Sequence, residues 1–294
     1  MENRTTKRLR GRIEINPTEN LENGAGGERA GALSRVEKGR EPVPLNALFL
    51  LIVSAAVFIG GTLIWLKGPL WWLGGVLPVA GFALPTLIWA SAGKRMKLVL
   101  PSHHLSMKKT VAAAAIAAGG SLSGLAASGI LSRFPGASGE EKLLLEWITR
   151  VPHLEQVLFF VVIPALCEEI LFRGGVLASF RRWPPATACV ASGAVFALFH
   201  ASLYRFIPVA ILGTALATVV VKTGNIWLAV LGHALHNGAV LLAVQSAGGV
   251  SVKPVMWSAV AALAVTGIVL FVAGCLMDVG SGSQPMNDFP LQQL

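Results

Sequence analysis

The sequence predicts an all-α fold, that of a polytopic membrane protein with about eight transmembrane helices in one bundle. Hydrophobic residues make up 54% of the 294-residue chain and charged residues only 13%, and the mean hydropathy is +0.65, which excludes an ordinary water-soluble domain. The apolar residues are concentrated in runs close to the ~20 residues that a helix needs to cross ~30 Å of hydrocarbon. Strict alternation of apolar and polar residues is absent, so helices rather than a β-barrel must satisfy the backbone inside lipid.

The chain begins with a polar segment, residues 1–44, that is rich in Gly, Glu and Arg and lacks apolar periodicity. Such a composition cannot form a packed core, so we expect a disordered cytoplasmic tail. The tail does not resemble a signal peptide, because the first apolar run begins only near Leu45.

Eight apolar runs follow the tail. Residues 45–132 hold the N-terminal transmembrane helices, residues 150–247 form a central region with four further spans, and residues 254–277 form the last helix. The predicted spans are 45–66, 69–92, 110–132, 157–180, 185–203, 206–221, 225–247 and 254–277. Between the third and fourth spans, residues 139–151 are too charged and too few to cross a membrane, and they predict an interfacial amphipathic helix. Glycines that recur in the spans, such as Gly119, predict close helix packing.

Basic residues are distributed unevenly between the two sides of this predicted bundle. Seventeen Lys and Arg residues fall in the tail and in every second connection, against six on the other side. Because positive charge is retained on the cytoplasmic side, both termini should be cytoplasmic in a bacterial-type plasma (inner) membrane. The net charge of +9 is thereby explained as a topology signal, and nucleic acid is not an expected partner.

Three charged residues lie well inside one predicted span, in the stretch "CEEILFRGGVL". An unpaired charge at the bilayer centre costs at least ~2.5–3.5 kcal/mol, so the three require an explanation. Glu169 and Arg173 have the i, i+4 spacing of a helical ion pair with the acid on the N-terminal side. Glu168 points about 100° away from Glu169 on a helix, so the same contact does not neutralise it.

Two further polar pairs lie in neighbouring spans, each one helical turn apart: Phe196 and His200 in "FALFH", and His233 and Asn237 in "HALHN". A rise of 1.5 Å per residue places both histidines and Asn237 roughly 12–22 Å from the cytoplasmic ends of their spans, near the depth of Glu168. Such a cluster could hydrolyse an amide bond. Glu168 would act as general base with His200 on the same water, and His233 and Asn237 would stabilise the oxyanion.

The three motifs "EEILFR", "FALFH" and "HALHN" resemble, in order and spacing, the EExxxR, FxxxH and HxxxN motifs of the CAAX-processing type II and bacteriocin-immunity (CPBP, Abi) family of intramembrane proteases. The resemblance covers about residues 150 to 247, and "KTGNIWLAVLGHALHNG" also resembles the family's approach to its third motif. It implies an endopeptidase acting on a membrane-associated substrate, with prenylated CAAX-type proteins as one substrate class. The implied catalytic residues are Glu168, Glu169, Arg173, His200, His233 and Asn237, of which Glu169 and Arg173 would be structural.

Metal dependence has two alternatives at this point. Glu168 with two imidazoles is a reasonable Zn²⁺ ligand set, and His236 offers a further nitrogen. An HExxH helix is absent, however, and Asn237 suits an oxyanion donor better than a zinc ligand. The resemblance implies a metal-free glutamate mechanism, so we expect no cofactor, with Zn²⁺ as the alternative.

Two other functions fit the same composition. Buried Glu and His can relay protons in a proton- or ion-coupled transporter, although the two halves of the chain show no echo of the charged motifs. The scaffold could also serve a non-catalytic immunity or partner-binding membrane protein, but all six motif residues are intact. The expected partners are the lipid bilayer and a membrane-associated peptide or protein substrate. Neither the substrate's identity nor the oligomeric state is predicted.

Overall fold

A computed structural model of the chain describes residues 42–65, 73–134, 148, 151–246 and 256–279. These residues form helices joined by short connections, and no strand occurs among them beyond an isolated bridge between Ser102 and Asn225. The all-α prediction is confirmed for this part of the chain. Two predictions, the disordered tail of residues 1–44 and the interfacial helix of residues 139–151, fall almost wholly outside the described residues.

The regular helices are numbered in chain order together with two composite ones. They are α1 (Pro44–Trp65), the composite α2, α3 (Met96–Val99), α4 (Met107–Leu131), the composite α5, α6 (Pro185–Phe199), α7 (Leu203–Thr223), α8 (Ile226–Ser246) and α9 (Trp257–Leu276). The composite α2 consists of Leu73–Pro78, a π turn at Val79–Ala83 and Leu84–Ala92. The composite α5 consists of His153–Val157, a π turn at Leu158–Val162, Ile163–Glu169 and a π-helical segment at Ile170–Leu177.

Proline explains the π turn at Val79–Ala83 in α2 and the π turn at Leu158–Val162 in α5. Pro85 and Pro164 each follow a π turn by two residues. A proline inside a helix lacks the backbone N–H and clashes with the carbonyl four residues before it, so the preceding turn must widen. The spans predicted at 69–92 and 157–180 are largely helical in their described residues, and the π turns within them were not predicted from the sequence.

Five helices, α1, α4, α7, α8 and α9, are long and apolar enough to cross a membrane by length and composition. The predicted count of eight spans is not confirmed. The described parts of α2 and α5 are interrupted as above, and α6 has only 15 residues. At 1.5 Å per residue α6 extends about 22 Å, short of the ~30 Å hydrocarbon layer.

The outer surface of the bundle is apolar and its interior contains polar groups. Leu45 and Ile52 of α1 are 70% and 60% exposed, whereas Ser54 of the same helix and Thr86 of α2 are fully buried. A water-soluble bundle shows the opposite preference, because water would penalise the exposed side chains. This distribution fits a surface that contacts lipid.

Helix α4 lies beside α7, α8 and α9, and glycines allow its backbone to approach α9 closely. A Cβ atom added at Gly119 would lie 2.5 Å from the Phe271 nitrogen and 2.7 Å from the Gly267 oxygen. One added at Gly267 would lie 2.7 Å from the nitrogen of Ser123. The close packing predicted for Gly119 is thus present, since small residues are what bring helices together in lipid.

The connection between α6 and α7 differs from the predicted spans at 185–203 and 206–221. Helix α6 ends at Phe199, Ala201 adopts a left-handed conformation with φ of 48°, and the Ser202 hydroxyl caps α7 by accepting from the Arg205 N–H at 3.1 Å. A capping serine satisfies an N–H that the first helical turn leaves unpaired, so α7 begins earlier than predicted. His200 therefore lies at the end of a helix rather than within one.

The contact between α4 and α9 can be tested with a matched pair of glycine substitutions. We expect Gly119→Ala to lower the free energy of unfolding by about 1–3 kcal/mol, because its Cβ meets backbone atoms that cannot move aside. A Cβ at Gly60 of α1 would have no atom within 4 Å, so Gly60→Ala is the control. Thermal unfolding in detergent micelles measures both; equal melting temperatures would contradict the packing.

Candidate active site

The carboxylate of Glu169 lies at the centre of the candidate site and is fully buried. Its Oε2 lies 2.9 Å from Nε of Arg173, which confirms the predicted i, i+4 ion pair. Its Oε1 lies 2.9 Å from Nδ1 of His233, so the same carboxylate joins α5 to α8. The bond between Glu169 and His233 was not predicted from the sequence.

Arg173 extends these contacts to two more helices. Its guanidinium is 99% buried, donates to the Gly213 carbonyl of α7 at 3.2 Å, and lies 4.8 Å above the ring of Phe196 in α6. A cation over an aromatic face is stabilised by the ring quadrupole. A Cβ at Gly213 would lie 2.9 Å from the Phe196 ring and 2.9 Å from Cα of Gly193, so glycine at this crossing allows the approach.

Glu168 differs from its neighbour. Its side chain is 16% exposed, and its buried Oε2 has no hydrogen-bond partner among the described residues. Nε2 of His233 lies 3.9 Å from this Oε2 atom. That distance is too long for a direct hydrogen bond but short enough for one bridging water. As predicted, the ion pair of Glu169 and Arg173 does not absorb this charge.

His233 lies between the two glutamates and is 97% buried. An ionised carboxylate only accepts hydrogen bonds, so Nδ1 of His233 must donate to Glu169. This contact places a hydrogen on Nδ1 and fixes the orientation of the ring. The other nitrogen, Nε2, faces Glu168.

His200 is connected to the cluster through Phe196. Its Nδ1 lies 3.0 Å from the Phe196 carbonyl, which can only accept, so Nε2 is left for another partner. The Phe196 ring packs edge-on against His200 at 4.8 Å between centroids and against His233 at 5.7 Å. Phe196 therefore packs against both histidines.

Asn237 lies one turn beyond His233 on α8 and is partly buried. Within the described part of the chain its amide makes no hydrogen bond, and no direct contact joins it to Glu168. The i, i+4 spacing places it on the same side of the helix as His233.

His236 faces a different helix from His233. Its Nδ1 lies 2.7 Å from the Ser121 hydroxyl of α4, away from the acidic pair, which does not favour it as a further zinc ligand. Among the described residues no three or more His, Cys, Asp or Glu side chains are grouped so that they could hold a metal ion. The sequence does not distinguish Ser121 from the other serines of α4, such as Ser123 and Ser128.

The buried ion pair gives a prediction for stability. Arg173→Met would leave the Glu169 carboxylate without its cation, and we expect a loss of about 3–5 kcal/mol in the free energy of unfolding. The double variant with Glu169→Gln should regain part of that loss, because the carboxylate that Arg173 had paired is also removed. Lys108→Met, at an exposed position of α4, is the control. Thermal unfolding in detergent measures all of them, and an Arg173→Met protein as stable as the control would contradict the pairing.

A comparison with protein families bears directly on this cluster. Residues 151–239 match the family model described as type II CAAX prenyl endopeptidase Rce1-like, and all three motifs fall inside the match. No curated protein and no solved structure matches the chain. With its five apolar helices, the chain is an integral membrane protein, and its residues 151–239 are similar to the Rce1-like type II CAAX prenyl endopeptidase domain.

Proposed function

We propose that this chain is an intramembrane endopeptidase that hydrolyses a peptide bond of a membrane-associated substrate. The observation that supports it most is the division between two adjacent acids. Glu169 binds Arg173 and His233, whereas Oε2 of Glu168 is buried without a hydrogen-bond partner and faces His233 across 3.9 Å. Oε2 of Glu169 also makes no hydrogen bond, but it lies 2.9 Å from the Arg173 cation, and a purely structural Glu168 would be expected to have a partner as close, because burying an unsatisfied polar atom costs free energy.

In the proposed mechanism, Glu168 takes a proton from the attacking water and later gives it to the leaving amine. A carboxylate in surroundings of low polarity is suited to this role, since it can carry the proton between the two steps. His200 would hold the same water through Nε2, because its Nδ1 already donates to Phe196.

The negative charge that develops on the carbonyl oxygen would be stabilised by Asn237 and by Nε2 of His233. Fixed donors aimed at a developing oxyanion contribute several kcal/mol in a site that excludes water. For this role Nε2 of His233 must carry a hydrogen, in addition to the Nδ1 hydrogen that is donated to Glu169.

The proposed setting is a bundle of eight membrane-crossing helices in a bacterial-type plasma membrane, with both termini in the cytoplasm. Because the helical part of α6 is only about 22 Å long, His200 at its end would lie within the thickness of the membrane. Backbone that leaves the helical conformation at such depth is tolerated where protein surrounds it or where it lines a cavity. Prenylated CAAX-type proteins are one class of substrate that the family match supports.

Conversion of the proposed base tests this function. We expect Glu168→Gln to abolish cleavage of a membrane-associated peptide by the purified protein, because the amide cannot accept the proton from water. Glu155→Gln, another acid of α5 outside the cluster, should keep full activity. Mass spectrometry of the products in detergent is the measurement, and retained folding is checked by thermal unfolding. Full activity of the Glu168 variant would refute the mechanism, and pH-driven flux in liposomes without cleavage would support a transporter.

We propose that the reaction needs no metal. Prolonged treatment with a zinc chelator should leave the cleavage rate unchanged, since hydrogen bonds and the Glu168 carboxylate supply the proposed catalysis. A loss of activity that Zn²⁺ restores would contradict this and would favour zinc binding by Glu168 and the histidines.

A further inference from the structure

Helix α8 carries both proposed oxyanion donors, yet most of its side chains are not buried. Only four of its side chains are buried, those of Ile226, Ala229, His233 and Leu241. Leu231 and Leu235 are 55% and 65% exposed. In a membrane, lipid solvates such apolar side chains as well as protein does, so they do not fix the rotation of a helix about its axis.

A partly open pocket of about 390 Å³ lies between part of the surface of α8 and α4. Alanines of α4, including Ala113 and Ala117, form one wall, and leucines of α8, including Leu228 and Leu231, form the other. Because protein atoms do not fill the space between the alanine wall and the leucine wall, packing there does not prevent α8 from turning toward it.

Two polar contacts act on α8 near the proposed site. His233 donates to Glu169 of α5, and one turn further along, His236 bonds to Ser121 of α4 at 2.7 Å. Residues three apart on a helix point about 60° from each other, so these bonds restrain α8 from two directions. A Cβ at Gly232 would lie 2.8 Å from Cβ of Ala117, which shows how closely the two helices approach next to the Ser121 bond.

We infer that Ser121 is a positioning residue for the proposed peptidase reaction: through His236 it sets the rotation of α8 and thereby the direction of His233 and Asn237. The inference rests on the proposed function. The bond from Glu169 orients the His233 ring, but one such bond still leaves α8 free to turn about it. The second bond, from Ser121, removes this freedom, and small misplacements of catalytic donors are known to slow reactions by up to about 100-fold.

The test compares four variants with a membrane-associated peptide substrate. Ser121→Ala and His236→Leu should each lower kcat about 10-fold or more with KM nearly unchanged, because the donors act on the transition state. The double variant should be no slower than either single one, since both remove the same bond. Ser121→Thr, which keeps the hydroxyl, should retain most of the activity, and Ser128→Ala, an exposed serine of α4, is the control.

A second measurement separates this inference from the proposed function. Ring-nitrogen NMR of the labelled histidines, with His233 assigned by its loss in His233→Asn, should show altered His233 signals in Ser121→Ala and unchanged signals in Ser128→Ala. Normal kcat in Ser121→Ala, or a loss of activity only in proportion to a lower melting temperature, would overturn the positioning role. Full activity of Glu168→Gln would instead refute the proposed mechanism, and the His233 signals would still decide whether Ser121 orients α8.

Discussion

The arrangement of the site depends on one buried carboxylate, that of Glu169. A charge within a membrane protein requires a partner, and here one oxygen binds Arg173 while the other binds His233. Arg173 in turn reaches a carbonyl of α7 and the Phe196 ring of α6, so four helices converge on a single ionised group. The geometry of the candidate site therefore follows from the contacts that neutralise the Glu169 carboxylate.

Two consecutive glutamates thereby acquire different properties. Consecutive helical residues point in directions about 100° apart, so Glu168 cannot share the contacts of Glu169. It faces the opposite nitrogen of the same imidazole, His233, at a distance that leaves room for water. The ring of Phe196 contacts both this histidine and His200, and so connects the second motif to the first and third. The three sequence motifs meet through direct physical contacts.

Contacts within one helix could be predicted from residue spacing in the sequence. Contacts between helices could not, because they depend on how the helices are arranged in space. The pair of Glu169 and Arg173 follows from i, i+4 spacing, and apolar run lengths located most of the helices. The bond from Glu169 to His233 depends on how α5 and α8 are rotated against each other, which hydropathy does not encode. The end of α6 at Phe199 was missed because the apolar run continues beyond it, while a left-handed Ala201 and the Ser202 cap decide the turn. Pro85 and Pro164 are sequence signals for the π turns of α2 and α5, because a proline inside a helix widens the turn that precedes it.

We propose that the two adjacent acids have separate roles, Glu168 in catalysis and Glu169 in structure. The most direct test of this proposal measures cleavage and thermal stability together in Glu168→Gln and Glu169→Gln. We predict that the Glu168 variant loses cleavage while its melting temperature stays the same or rises, because its buried oxygen has no partner to lose. The Glu169 variant should lose both, since Arg173 becomes an unpaired buried cation. Equal effects of the two substitutions on stability, or activity that survives only in the Glu168 variant, would contradict the account.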